Sequence, residues 1–145
     1  MENGTFDLVT FNIPKPLSTV GLLKVCPKTH LCYFYPNQGV TYYQQGKYDI
    51  AIESYQKAIR INPNFAVAHN SLGVAYEKQG KYDLAVKSYK KAISINPNNA
   101  ETHYSLGTAY ATQGKYDLAV KSYKKAIAIN PNLDSPKLGQ FINPQ

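Results

Sequence analysis

The chain has 145 residues, 43% of them hydrophobic, with 16 Lys and Arg against 9 Asp and Glu and a formal net charge of +7. That is the length of one ordinary domain with enough apolar side chains to pack a core. The two cysteines, Cys26 and Cys32, exclude a disulfide framework, and apolar stretches as short as Val20 to Leu23 exclude a signal or membrane helix. No basic n-region follows Met1, so a soluble, cytoplasmic protein without membrane insertion is expected. Tyr is abundant at 13, against 5 Phe and no Trp. Aromatic packing must therefore carry hydroxyls that want partners or a surface position.

Residues 1–36 hold no repeat, and Pro14, Pro16 and Pro27 punctuate them. They read either as an N-terminal cap or as a segment joined to part of a longer array, and poor order is the expectation. The cluster Cys26-x3-His30-x-Cys32 offers three soft ligands where zinc usually takes four. No metal site and no cofactor are predicted.

From there the chain repeats. Gln-Gly-Lys-Tyr-Asp occurs at Gln45, Gln79 and Gln113, a period of 34 residues. Repeats fall at 32–65, 66–99 and 100–133, and 26 of 34 positions are identical between the second and third. Each repeat reads as two helices. In the second, helix A runs from about Ala66 to Gln79 and stops at Gly80, and helix B runs from about Tyr82 to Ile95. Asn96-Pro97-Asn98 ends helix B, because proline lacks an amide hydrogen and disfavours a helical residue before it. Gly46 and Gly114, with Asn62-Pro63-Asn64 and Asn130-Pro131-Asn132, mark the same breaks in the other repeats. The first repeat matches the second at 18 positions, all from Gly39 onward. Pro36 sits inside its expected helix A, so that helix is predicted to begin near Pro36 and to be about a turn shorter than the others.

The spacing His69-x2-Leu72-Gly73-x2-Tyr76, then Gly80, Tyr82, Ala85-x3-Tyr89, Ala92 and Pro97, resembles the tetratricopeptide repeat. The third repeat agrees through His103, Leu106, Gly107, Tyr110, Tyr123 and Ala126. His replaces the usual aromatic at the fourth position, and Tyr replaces Phe in helix B. The resemblance covers roughly residues 37–133. It implies an all-α fold, an α-solenoid of about three stacked antiparallel helical hairpins wound as a right-handed superhelix. A single hairpin cannot bury its apolar face alone, so neighbours must stack.

On a helical wheel, positions 2, 5, 9, 12 and 13 of helix A share an arc apart from the packing positions 4, 7, 8 and 11. The resemblance implies that this second arc lines a concave groove. Repeats two and three differ at eight positions, and five of them lie on that arc. The pairs are Val67/Glu101, Asn70/Tyr104, Val74/Thr108, Glu77/Ala111 and Lys78/Thr112. With Tyr43 from the first repeat, they form the predicted ligand groove, with Tyr104, Val74 and Tyr43 as exposed apolar anchors. Drift at exposed sites is the plainer reading. Drift would also scatter over exposed helix B, yet Lys87, Lys90 and Lys91 return unchanged as Lys121, Lys124 and Lys125.

Those six lysines are predicted to lie on the outer surface as a solvated stripe. Without a nucleic-acid motif beside them, nucleic acid is not the expected partner. His69 and His103 occupy a packing position and read as core histidines. Asp49, Asp83 and Asp117 start helix B, where a carboxylate favours the helix dipole. No phosphate loop or nucleophile elbow occurs, so the chain is not expected to be an enzyme. Some members of the resembled family grip acidic C-terminal tails of heat-shock chaperones with a Lys, Asn and Arg clamp on helix A. Here those places hold Pro36 and Asn37, Asn70 and Ser71, and Glu101 and Ser105, so that activity is not carried over.

The expected function is a scaffold binding a peptide or protein segment in the groove. The alternative is a fragment of a longer array that self-associates or docks on other repeats, or an accessory module of a larger enzyme. After the third repeat, residues 134–145 lack the Leu-Gly pair and tyrosine of a fourth. Leu118 and Ile127 are therefore predicted to lie uncovered, favouring self-association, unless Leu138, Phe141 and Ile142 fold back over them.

Overall fold

The structure is a computed structural model that describes residues 31–133. Within that span six helices follow one another: α1 (Leu31–Gln44), α2 (Tyr48–Ile61), α3 (Ala66–Lys78), α4 (Tyr82–Ile95), α5 (Ala100–Thr112) and α6 (Tyr116–Ile129). Helices A are α1, α3 and α5, and helices B are α2, α4 and α6. The chain is an all-α helical repeat.

The hairpin turns follow from the glycine. At the end of α3, Gly80 adopts φ +72°, a left-handed backbone that disfavours side chains. Its amide donates to the Glu77 carbonyl and the Lys81 amide to the Tyr76 carbonyl, each at 2.9 Å, which satisfies two carbonyls the helix would otherwise leave open. The Asn-Pro-Asn breaks work through a side chain. Asn62, Asn96 and Asn130 each accept with Oδ1 from the amide two residues on, at 3.1, 3.3 and 3.1 Å.

Within a hairpin, the close approach rests on Gly73. A Cβ there would lie 2.6 Å from Cε1 of Tyr89, so the tyrosine ring packs directly against helix A at the glycine. Gly39 under Tyr55 and Gly107 under Tyr123 repeat the arrangement. Tyr89 and Tyr123 are wholly buried, ringed by Ala85, Ala119, Leu106 and Ala109 in one core that crosses from the second repeat to the third. A second core joins Ala51, Ile52 and Tyr55 to Leu72 and Ala75.

Between repeats, three side-chain devices recur. Gln79 Nε2 donates to Asp49 at 2.7 Å and Gln113 Nε2 donates to Asp83 at 2.8 Å, each pair spanning adjacent repeats. The carboxylates expected only to favour the helix dipole therefore also tie each repeat to the next. His69 and His103 are buried as expected, and each donates its Nε2 hydrogen to the carbonyl of the preceding repeat's proline, Pro63 at 3.0 Å and Pro97 at 2.9 Å. A carbonyl can only accept, so these contacts fix the imidazole tautomer. The hydroxyls of Tyr55 and Tyr89 meet Ser71 and Ser105 of the following repeat.

Helix α1 departs from expectation. It begins at Leu31, five residues before Pro36, and at 14 residues is no shorter than the 13 of α3 or α5. The amide that Pro36 lacks would have reached the carbonyl of residue 32, in the first turn, so a single bond near the helix end is forfeited. The Pro36 ring is buried, and neighbouring Tyr35 packs against Ala58, Phe65 and Ala68. The tyrosine thus does at this position what the histidines do in the later repeats: it fixes helix A to its surroundings. Residues 1–30 and 134–145, with Cys26, His30, Leu138, Phe141 and Ile142, lie outside the described residues.

Candidate binding groove

Neighbouring helices A touch one another, α1 with α3 and α3 with α5, whereas α2, α4 and α6 do not touch. Helices A therefore form the tighter, inner wall of the stack and helices B the outer one. The arc drawn from the sequence falls on this inner wall, but its residues are not equally free. Val67, Lys78, Glu101 and Thr112 are exposed, and Val67 is the most open apolar side chain of the set at 54%. Asn70, Val74, Glu77, Tyr104, Thr108 and Tyr43 are half-buried.

That half-burial corrects the reading of Tyr104, Val74 and Tyr43 as freely exposed anchors. The Tyr104 ring lies 5.2 Å from the Tyr123 ring at an interplanar angle of 53°, and Val74 packs on the same core. Tyr43 packs on the second core and lies 5.4 Å from Tyr48. The reason is geometric. Position 24 of the repeat, in helix B, carries a tyrosine whose ring fills the space over the glycine, and its hydroxyl end emerges beneath positions 5, 9 and 12 of helix A. A large side chain at those positions leans on that ring rather than into solvent.

The same hydroxyls give the groove its polar floor. Tyr89 donates to Glu77 Oε2 at 2.8 Å, and Tyr123 donates to the Thr108 hydroxyl at 3.2 Å. Burial pushes the Tyr55 hydroxyl up to about 12. Burial also raises Tyr89, with the Glu77 charge and hydrogen bond adding to it, and raises Tyr123. These phenols stay protonated at neutral pH and act as donors. Asn70 contributes a buried Oδ1 with no hydrogen-bond partner among the described residues, an acceptor set in the inner wall.

Ser71 and Ser105, at the sixth position of helix A, are engaged by the tyrosine hydroxyls of the preceding repeat. A chaperone-type clamp would need a long cationic or amide side chain where those serines stand. Among the described residues, no group of His, Cys, Asp and Glu is arranged to hold a metal ion, and no helix is long and apolar enough to cross a membrane.

The family described as TPR repeat matches residues 39–80 and 78–114, and the tetratricopeptide repeat family matches 100–133. The chain belongs to the tetratricopeptide repeat family. Among solved structures, this TPR chain is similar to MamA at 34% identity and TM-score 0.67, over 69% of this chain and 58% of that one. It thus spans little more than half of the MamA chain. It is also similar to the second TPR of Spaghetti (RPAP3) bound to the HSP90 peptide SRMEEVD, at 25% identity and TM-score 0.68, over 70% of this chain and 94% of that one. The first TPR domain of human RPAP3 is similar at 25% identity and TM-score 0.75, over 78% of this chain and 91% of that one. No curated protein sequence matches the chain.

Sequence reasoning missed the Tyr89–Glu77 and Tyr123–Thr108 bonds that connect the variable inner face to the invariant core. A signal existed: in both repeats position 9 or 12 offers an acceptor near the phenol, Glu77 in the second and Thr108 in the third.

Proposed function

We propose that the inner wall of α1, α3 and α5 binds an extended segment of another protein. The observation that carries this reading is where the second and third repeats differ. Of eight differences in 34 positions, five fall on one arc of helix A, while α4 and α6 differ only at Ser94/Ala128. Divergence by drift has no reason to spare the exposed lysines of helix B and concentrate on the inner wall instead.

The chemistry of that face supports a mixed ligand. Val67 and Val74 supply an apolar strip, Tyr104 and Tyr43 supply ring edges, and Asn70 supplies a half-buried amide. Lys78 and Glu101 place opposite charges on successive repeats, which favours a ligand carrying charges of both signs over a uniformly acidic tail. The acidic peptide seen with the RPAP3 repeat is therefore not the expected ligand here.

Peptide selection against the full chain tests the proposal. Selected sequences should lose binding to an Asn70→Ala, Val67→Asp variant that melts within a few degrees of the wild type. Selected sequences that bind this variant equally would reject the inner wall as the site.

A further inference from the structure

A second surface, on the opposite side of the stack from the inner wall, has the features of a binding slot. Helices α4 and α6 stand apart without touching, and α5 closes the space between them from below. The resulting groove has a volume of about 610 Å³. That is within the range of roughly 300–1,000 Å³ typical of ligand sites. Its floor and sides are apolar, formed by Ile93, Leu106, Tyr110 and Leu118. Its rim is cationic on both walls, with Lys90 from α4 and Lys121, Lys124 and Lys125 from α6. All four are exposed, and none pairs with a carboxylate among the described residues, where the ion pair is Lys57 with Glu53.

The equivalent junction between the first and second repeats is built differently. There Gln56 takes the place of Lys90, and its Nε2 donates to the Tyr76 hydroxyl at 3.1 Å. At the second junction Lys90 instead holds its ammonium 5.7 Å from the centre of the Tyr110 ring, over the aromatic face. One junction is latched by a neutral amide, and the other keeps a cation over its floor.

We infer that the slot between α4 and α6 binds an acidic peptide segment bearing bulky apolar side chains. Charge complementarity selects the acidic partner, since unpaired lysines on both walls repel one another and gain from carboxylates between them. The shape selects a peptide over a membrane surface. Leu106 and Tyr110 are buried below the lysine heads, within reach of a side chain entering the slot but not of a flat bilayer. This site is independent of the inner wall: it uses other residues, on the other side of the stack.

The test uses the full chain and a synthetic peptide of alternating glutamate and leucine with a central phenylalanine, followed by amide chemical shifts. Saturable binding with shifts at Tyr110, Leu118 and Ala128 is expected. The substitutions Lys90→Gln and Lys124→Gln together should weaken it about fivefold, given the modest strength of exposed ion pairs, without moving the melt. Gln56 already shows that glutamine fits this position. Replacing each glutamate of the peptide by glutamine should abolish binding. Equal affinity for the lysine variant, shifts confined to inner-wall residues such as Asn70 and Thr108, or an absence of saturable binding would each overturn the inference. So would binding to phosphatidylserine vesicles without binding to the peptide.

Discussion

At the scale of single residues, the repeat works by pressing a tyrosine ring onto a glycine. With Tyr89 wholly buried and a Cβ at Gly73 only 2.6 Å from its ring, Gly73→Ala should cost about 1–3 kcal/mol by overpacking. Chemical denaturation followed by circular dichroism measures it, and an unchanged midpoint would mean that the ring is not seated on the backbone. The same tyrosines set an alkaline limit. Tyrosine in an unfolded chain titrates near pH 10. Tyr55 is pushed up to about 12 by burial, and Tyr89 and Tyr123 are raised as well. The folded chain therefore holds protons that the unfolded chain gives up. The stabilisation is complete below about pH 10 and is lost as pH climbs toward about 12. Melting temperatures should fall steeply over that interval, with the tyrosinate absorbance of these three side chains appearing only on unfolding. Tyr104 belongs to this scale too. Because its ring rests on Tyr123, Tyr104→Ala should cost about 1 kcal/mol rather than nothing, as an aromatic pair of this geometry contributes about that much.

At the scale of helices, much was legible beforehand, and the exceptions have physical reasons. The bounds of α4 followed from Gly80 and Asn96-Pro97-Asn98, because a left-handed glycine and a proline each act on the backbone alone. The start of α1 did not follow, since Pro36 can stand in a second turn when its missing bond falls in the first. The inner arc was visible as a 100° periodicity, but the partial burial of Tyr104 was not. Burial there depends on the reach of Tyr123 from another helix, which no single-helix pattern contains. Likewise, Asp49 and Asp83 sit where a helix-dipole role explains them fully, so nothing pointed to glutamines 30 residues away. The ladder makes a prediction of rank. Asp83→Ala removes the acceptor of Gln113, whereas Asp117 starts the last helix, with no following repeat among the described residues. Thermal melts should show a larger drop for Asp83→Ala than for Asp117→Ala, and equal drops would show that only the dipole matters.

At the scale of the whole molecule, the exposure of Leu118 needs a different explanation from a missing fourth repeat. Leu118 is 45% exposed, but Leu84 in the middle of the stack is 44% and Ile50 is 43%. The position belongs to the outer face in every repeat. Tyr116 is the tyrosine that differs, being 55% exposed where Tyr82 and Tyr48 are half-buried. Helix α6 copies α4 at every position but one, so it carries the residues that α4 uses to receive α5. Melts over a roughly hundred-fold range of concentration should rise if a second copy uses that end, by mass action.

The inner wall as the peptide-binding face is tested most directly by exchanging its variable residues between repeats. Val67→Glu, Asn70→Tyr, Val74→Thr, Glu77→Ala and Lys78→Thr together give the second repeat the inner face of the third. The packing already exists in the same chain, where Thr108 meets Tyr123 as the introduced threonine would meet Tyr89, so the melt should stay close to that of the wild type. Titration of peptides selected on the wild-type chain should then show affinity lost by about tenfold or more, the effect of removing roughly 1.4 kcal/mol of contact. Undiminished affinity in a folded exchange variant would place the ligand elsewhere.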